Sequence, residues 1–297
     1  MKINPVYKRE TMVSSRSFRM SLIVLVFNSV LAVVALLSMY SVIARVKVTA
    51  EIRYSSFLEL YTFVATMEFI MLMFIIPAIT AGSISGERER QTLELMLTTK
   101  MTPAEIVLGK LFSSLSTVAM LIISSFPVLA LVFIYGGVRI PDVGMLLLCY
   151  VTTAFLAGCL GICFSSIFKR STLATVVSYC VIILLVAGTY AANRFALSLS
   201  QATVDTYLVN VESMARQANS GGLLYLMLLN PAVTFYVTIN GQVGNDQVVN
   251  NITRWFGERP ANVVTENWNL FSIGLQLALA VLFLWIAIRK VNPRKKK

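Results

Sequence analysis

The 297-residue chain is 57% hydrophobic and only 13% charged, and its mean hydropathy of +0.76 excludes a soluble globular protein. Its formal net charge of +11 is expected to reflect membrane topology and attraction to anionic lipid rather than binding of nucleic acid. The sequence has no histidine, the commonest general base and metal ligand, and its four cysteines indicate no metal cluster, so we expect no catalytic residue, metal site or bound cofactor.

Six apolar segments are long enough to cross a bilayer, whose hydrocarbon core of about 30 Å requires a helix of roughly 20 residues. In chain order they are 20–44, 57–81, 106–135, 144–168, 173–190 and 269–288. We therefore predict an all-α membrane protein with six transmembrane helices. The remaining segments are an N-terminal part at 1–19, an outer segment at 191–268 and a basic tail at 289–297.

Lysine and arginine are concentrated at the N-terminus, between the fourth and fifth apolar segments, and in the C-terminal tail. Six crossings place all three groups on one face of the membrane, and the positive-inside rule assigns that face to the cytoplasm. We expect a multi-pass protein of the cell (plasma or inner) membrane with both termini in the cytoplasm.

The fourth segment contains two pairs of small residues, Ala154 with Gly158 and Ala157 with Gly161. Pairs at this spacing let helix backbones approach closely in a membrane. They predict that the fourth span packs tightly against a neighbouring helix.

A further apolar stretch at 223–239 is short, and it carries Asn230-Pro231 at its centre. A crossing here would move the basic tail to the outside, so the charge pattern favours a re-entrant or interfacial hairpin. Amphipathic helices are expected at 204–215 and 248–256. These outer elements could cap the exit of a path, act as a lid, or form a dimer contact.

A charged interruption follows the second apolar segment. Glu87 and Glu89 stand where a helix would begin, and Leu93, Met96 and Leu97 would form one apolar stripe. The pattern predicts an amphipathic helix over 86–101 at the membrane face. A capping box at 102–105 then starts the third span. On periodicity alone, the helix could simply anchor the loop to the membrane surface.

The residues of this interruption resemble the coupling region of ATP-binding cassette (ABC) permeases of the type 2 (ABC-2) exporter family. The matching run is ISGERERQTLELML at 84–97, followed by TTKMTPAEIVLGK at 98–110. The opening NPVYKRE at 4–10 is similar to the N-terminal interfacial elbow helix of that family. Six spans, a long outer segment before the last span and cytoplasmic termini also agree with it.

The resemblance implies two permease chains, identical or different, above two ATP-binding subunits that hold ATP and magnesium. The surface helix would dock in a groove of the ATPase, and closure of the ATPases would move it. On this analogy Leu93 and Leu97 pack beneath the helix, and five residues face the partner: Glu87, Arg88, Glu89, Arg90 and Gln91. The sequence contains no G-x-x-x-x-G-K-[ST] phosphate loop, so the ATPase activity would reside in a partner chain.

Glu68 stands near the middle of the second segment, where an ionisable group costs on the order of 3 kcal/mol unless it is paired or faces water. The resemblance places the second and fifth spans beside the central path, which makes Glu68, Tyr61, Ser178 and Tyr179 candidate lining groups. The alternative for Glu68 is a structural hydrogen bond, to Asn28 or to a serine of another helix. The sequence favours the lining role and the structural role of Glu68 equally. For the other three residues a structural role is favoured.

The resemblance thus implies a permease subunit of an ATP-driven exporter that moves an unidentified substrate outward. One alternative is a non-transporting transducer that passes the conformational change of the ATPase to a membrane or extracellular partner. A secondary transporter is a third class, but it should show repeated halves and several intramembrane charges, and the sequence shows neither.

Overall fold

The computed structural model describes residues 4–49, 54–98, 101–136, 139–208, 218–243, 252, 255–257 and 262–291. Nearly all of these residues are helical, and none of them lies in a β-strand. The α-helices, in chain order, are α1 (Pro5–Ser15), α2 (Phe18–Thr49), α3 (Tyr54–Thr80), α4 (Ser85–Glu89), α5 (Thr92–Thr98), α6 (Pro103–Gly136), α7 (Ile140–Ile167), α8 (Ser171–Ile183), α9 (Thr189–Leu208), α10 (Pro231–Gln242), α11 (Val263–Glu266) and α12 (Trp268–Val291). A π-helical turn, Leu184–Gly188, joins α8 to α9, and a 3₁₀ helix, Gly221–Leu229, precedes α10.

Among the residues that the structure describes, six helical segments are long and apolar enough to cross a membrane, which confirms the all-α fold with six spans. Their bounds are Met20–Lys47, Leu58–Glu89, Pro103–Ala130, Ile140–Ile167, Ser171–Thr203 and Trp268–Val291. The fifth segment is longer than the sequence indicated, because the helix continues through Tyr190 to Leu208. Polar residues after Tyr190 lower the hydropathy without breaking the helix, so an apolar count ends too early there.

The chain divides into two compact units, residues 1–179 with 279–297 and residues 180–278. In the first unit, α3 packs against α2, α6 and α7, and α1 lies along α6. The end of α3 lies so close to α7 that a Cβ atom on Gly161 would overlap the side chain of Thr80 and press on the backbone nitrogen of Ala81. This approach is the tight packing that the small residues of the fourth span predict.

Helix α1 is fastened to the first half of α6 by side-chain contacts. The Asn4 amide donates to the carbonyl oxygen of Glu105 at 2.7 Å, and the Tyr7 hydroxyl lies 3.1 Å from the Ser116 hydroxyl. The Asn4 side chain also accepts from the Val6 N–H, as an N-cap residue does. The sequence therefore encodes a helix where an elbow helix is expected, and its position at a membrane surface stays a prediction.

In the second unit, the 3₁₀ helix and α10 meet at an angle of 85° at Asn230-Pro231. The Asn230 side chain accepts from the Ala232 N–H and donates to the Val186 carbonyl oxygen and the Thr189 hydroxyl, each at 2.9 Å. Asn230 thus caps α10 and holds the bend against the π-helical turn, where backbone pairing is irregular. The structure confirms a bend at the expected residues, whereas a re-entrant position in the membrane stays a prediction.

A buried polar network satisfies the backbone at this helix break. The Ser272 hydroxyl donates to the Leu228 carbonyl oxygen at 2.7 Å, and the Gln276 amide donates to the Thr234 hydroxyl at 2.7 Å. A broken helix in apolar surroundings needs such partners because water is not available to its free carbonyl groups. The network explains why α12 carries a glutamine in an otherwise apolar stretch.

The two expected amphipathic helices lie partly outside the described residues. The first, at 204–215, begins inside α9, which the structure describes as far as Leu208. Of the second, at 248–256, Ile252 and Phe256 are described, and both pack in a hydrophobic cluster with Leu224 and Trp268.

Candidate functional site

The charged interruption after the second span forms two short helices, α4 and α5, which we call the coupling segment (residues 85–98). Gln91 lies between them with a φ of 59°, in the left-handed region that ends a right-handed helix. The Thr92 hydroxyl lies within donating distance of both the carbonyl oxygen and the carboxylate of Glu87, which fastens α5 to α4. The prediction of one continuous helix over 86–101 is therefore corrected to two helices with a fixed joint.

The start of α4 is anchored on α7. The Ser165 hydroxyl oxygen accepts from the N–H groups of Ile84 and Ser85, each at 2.9 Å, and lies 3.2 Å from the Ser85 hydroxyl. Free N–H groups at a helix start need an acceptor when they are buried. Ser165, which is itself buried, supplies that acceptor.

Arg88 binds the end of α7. Its guanidinium donates to the carbonyl oxygens of Ser166 at 3.0 Å and Phe168 at 3.2 Å. The last carbonyl groups of a helix lack intrahelical partners and carry partial negative charge, so a cation stabilises them.

Glu89 binds the start of α8. Its carboxylate accepts from the Ser171 N–H at 2.8 Å and from the Ser171 hydroxyl at 2.9 Å. A helix start carries partial positive charge, so the anion matches α8 as the Arg88 cation matches α7. The two neighbouring charges together cap both sides of the short link between the fourth and fifth spans.

Glu87 takes part in a third contact, which centres on Lys110 of α6. The Lys110 ammonium lies 2.6 Å from the Glu10 carboxylate of α1 and 3.1 Å from the Glu87 carboxylate, and its side chain is only 3% exposed. The contact joins α1, α4 and α6. Lys110 was not among the predicted site residues, although a lysine four residues into a predicted span is a recognisable sign of a paired charge.

These contacts change the interpretation of the charged residues. Glu87, Arg88 and Glu89, expected to face a partner, contact the spans of this chain, and their contact with a partner stays a prediction. The sequence did not indicate the contacts with the spans, because these binding partners lie up to 82 residues away in the sequence, where local patterns carry no information about them.

The apolar side of the coupling segment packs inward. Leu93 is buried in a hydrophobic cluster with Ile84, Val107 and Leu111, and Leu97 packs against the same cluster. The opposite side is exposed and presents Arg90, Gln91, Glu94, Leu95 and Thr98. We call these five residues the outer face of the coupling segment; its Leu95 side chain is 68% exposed.

Glu68 is completely buried between helices of the first unit. Its carboxylate accepts from the Ser125 hydroxyl of α6 at 2.5 Å, and Tyr61 and Tyr150 lie near enough to interact with its charge. Asn28 donates instead to the Ser124 hydroxyl. Glu68 therefore has the serine partner that the structural alternative requires, and its role as a lining group of a path stays a prediction.

Ser178 and Tyr179 lie on α8, apart from the cluster around Glu68. Ser178 is buried, and its hydroxyl donates to the Ala174 carbonyl oxygen of its own helix. The Tyr179 hydroxyl donates to the Phe74 carbonyl oxygen of α3 at 2.6 Å, just before Pro77 interrupts the backbone pairing of that helix. Tyr179 thus links the second and fifth spans.

Acidic and cysteine side chains do not gather in threes anywhere in the described part of the chain, as a metal ion would require. Cys149, Cys159 and Cys163 are buried, and Cys180 is exposed.

Comparison with known families agrees with this architecture. The family described as "ABC-2 family transporter protein" matches residues 19–289, which include all of the coupling segment and nearly all of the six spans. No curated protein matches the chain. Since the family match extends over nine tenths of the sequence and the described residues contain six candidate spans, the chain belongs to the ABC-2 family of ABC transporter membrane proteins.

Proposed function

We propose that this chain is the permease subunit of an ATP-driven exporter and that a separate ATPase subunit acts on its coupling segment. The ATPase would bind ATP and magnesium, and an unidentified substrate would move outward through a pair of permease chains. The observation that carries the proposal is the coupling segment itself, which is fixed to several spans on one side and exposed on the other.

The contacts of α4 support a mechanical role. Arg88 and Glu89 connect it to α7 and α8, and Glu87 connects it through Lys110 to α6 and α1. A displacement of α4 would therefore act on the third, fourth and fifth spans together. A loop tethered only by its two ends would absorb the same displacement.

The outer face offers the surface on which an ATPase would push. Its residues combine charged groups, Arg90 and Glu94, with the exposed apolar side chain of Leu95. Interfaces commonly place an apolar anchor at the centre and charges at the rim, which fix orientation. We therefore assign the partner contact to Arg90, Gln91, Glu94 and Leu95.

Charge supports a cytoplasmic position for this surface. Arg9, Lys169 and Arg170 lie at the same end of the first unit as the coupling segment, and the last helix ends there with Arg289 and Lys290. The positive-inside rule assigns such an end to the cytoplasm, where ATP is available.

The proposal is tested by co-expressing the chain with an ABC-type ATPase and measuring how much ATPase copurifies. Leu95→Asp combined with Glu94→Lys should reduce copurification at least about tenfold, because it removes an apolar anchor and reverses a charge. Met12→Asp combined with Arg16→Glu is the matched control, since Met12 on α1 and Arg16 directly after it are both exposed and lie outside the outer face. Equal copurification of the test variant and the unsubstituted chain would contradict the assignment.

Transport itself is measured as cargo flux across sealed vesicles that contain the assembled complex. ATP hydrolysis accompanied by flux supports the exporter. ATP hydrolysis with no flux of any cargo tested would assign the chain to the transducer class instead.

A further inference from the structure

A cavity of about 910 Å³ lies in the first unit between α1, the start of α2, the coupling segment and the first half of α6. We call it the α1 groove. Its volume falls within the range of roughly 300–1,000 Å³ that is usual for small-molecule sites. None of the residues that we assign to substrate movement lines it.

Two arginines of the α1 groove have no bonded partner. Arg9 and Arg90 are exposed, and neither makes a hydrogen bond or an ion pair within the described residues. The two carboxylates of the groove, on Glu10 and Glu87, are both bound by Lys110. With three cations and two anions, the lining has a net charge of +1. The charge of Arg9 acts on Glu87 and that of Arg90 on Glu89, but no carboxylate among the described residues binds either guanidinium group directly.

The rest of the lining is divided between hydroxyl groups and apolar side chains. Ser113 and Ser114 of α6 contribute hydroxyls beside Lys110, whereas Met20, Ile23 and Ile79 contribute apolar surface from the ends of the first two spans. A cavity that combines unpaired cations, hydroxyl donors and apolar walls suits an amphiphile with an anionic head.

We propose that the α1 groove binds an anionic phospholipid, with Arg9 and Arg90 holding its phosphate and the apolar wall contacting its acyl chains. Guanidinium groups form paired hydrogen bonds to phosphate oxygens, and basic pockets between membrane helices commonly hold anionic headgroups. Because Arg9 belongs to α1 and Arg90 to the coupling segment, the lipid would join these two elements by a route separate from Lys110. The proposal requires only a membrane-embedded chain and does not depend on the proposed exporter function.

The test uses the purified full chain in detergent, without an ATPase, because Arg90 also belongs to the outer face. Short-chain phosphatidylglycerol should raise its unfolding temperature saturably, and short-chain phosphatidylcholine should do so only weakly. Arg9→Gln alone should weaken the apparent affinity for phosphatidylglycerol about fivefold, and Arg9→Gln with Arg90→Gln roughly twenty-fold, since each cation near a headgroup contributes on this scale.

Two further variants serve as controls. Arg16→Gln with Lys169→Gln removes two exposed cations outside the groove and should leave the affinity unchanged. Arg9→Lys with Arg90→Lys keeps the charge and should retain most of the binding, which also shows that substitution here is compatible with folding. Equal affinity of the Arg9→Gln, Arg90→Gln variant and the unsubstituted chain would overturn the proposal.

Other occupants give distinct results. If inorganic phosphate at millimolar concentration raises the unfolding temperature as much as phosphatidylglycerol does, the groove is a simple anion site and the lipid proposal fails. If Arg9→Gln abolishes copurification of a co-expressed ATPase while lipid affinity is unchanged, the groove belongs to the interface with that subunit, and the proposal is likewise overturned.

Discussion

Lys110 shows how a single buried residue can decide which helices move together. Its ammonium lies between carboxylates of α1 and α4, so both anions bind one cation that belongs to a third helix, α6. A buried lysine is tolerated because both carboxylates compensate its desolvation. The same arrangement makes the contact between α1, α4 and α6 sensitive to loss of that one charge.

Lys110→Met should lower the stability of the chain by about 1–3 kcal/mol, because it removes the cation that the Glu10 and Glu87 carboxylates both bind. The loss is moderate because these carboxylates are 29% exposed and solvent partly screens their charges. The measurement is thermal unfolding in detergent. Lys8→Met, at an exposed position of α1, is the control. Equal unfolding temperatures for the two variants would show that the Lys110 contact contributes nothing to stability.

Glu68→Gln separates the two roles of the buried carboxylate. The amide keeps the size of the side chain and an acceptor for the Ser125 hydroxyl but removes the charge. We expect flux across vesicles to fall while expression stays near that of the unsubstituted chain. Ser125→Ala, which removes only the hydrogen bond, is the matched control. Unchanged flux in Glu68→Gln would restrict Glu68 to holding α3 against α6.

For individual helices, features that depend on neighbouring residues could be predicted from the sequence. Features that depend on contacts between residues far apart in the sequence could not. The capping box that starts α6 was evident in the sequence and is present, with Thr102 N–H to Glu105 at 2.7 Å and Glu105 N–H to Thr102 at 3.2 Å. The break between α4 and α5 at Gln91 was not evident in the sequence. Glutamine has no preference for the left-handed region, and the contacts that hold this conformation form only in the folded chain. The hydrogen-bond partners of Arg88 and Glu89 could not be predicted from the sequence either.

Gly161→Ala should separate α3 from α7. The added methyl group would overlap Thr80 and press on the backbone at Ala81, which neither residue can avoid without a shift of the helix. We expect a loss of about 1–3 kcal/mol, seen as a lower unfolding temperature. Gly144→Ala in the same helix has open space around its added methyl group and should be neutral or stabilising by up to about 1 kcal/mol. Similar behaviour of the two variants would contradict the close approach.

For the whole molecule, composition was sufficient to predict an all-α protein with six spans, because backbone polar groups in a bilayer force helix formation. Span ends were less predictable. The fifth span continues past Tyr190 since the polar residues that follow still favour a helix. The polar network around Gln276 was missed for another reason: its members come from three separate helices, and only the fold brings them together.

The topology predicts opposite accessibility for two exposed positions, Thr98 and Glu266, in a Cys180→Ser background. A membrane-impermeant maleimide should label Thr98→Cys only after the membrane is opened and should label Glu266→Cys in intact cells. The reason is that three crossings, the third, fourth and fifth spans, would separate the coupling segment from the start of the last span if the bent helix pair does not cross. Labelling of both cysteines from the same side would mean that the bent pair spans the membrane.

The π-helical turn Leu184–Gly188 has a consequence for the register of the helix that follows. A widened turn accommodates one residue more than an α-helix of the same length. If the same residues were wound as a regular α-helix, with none deleted, all of α9 would be rotated by about 100°. The Asn193 amide, which donates to the Leu223 carbonyl oxygen at 2.9 Å, would then point away from its acceptor. The widened turn therefore determines which side of α9 faces the 3₁₀ helix.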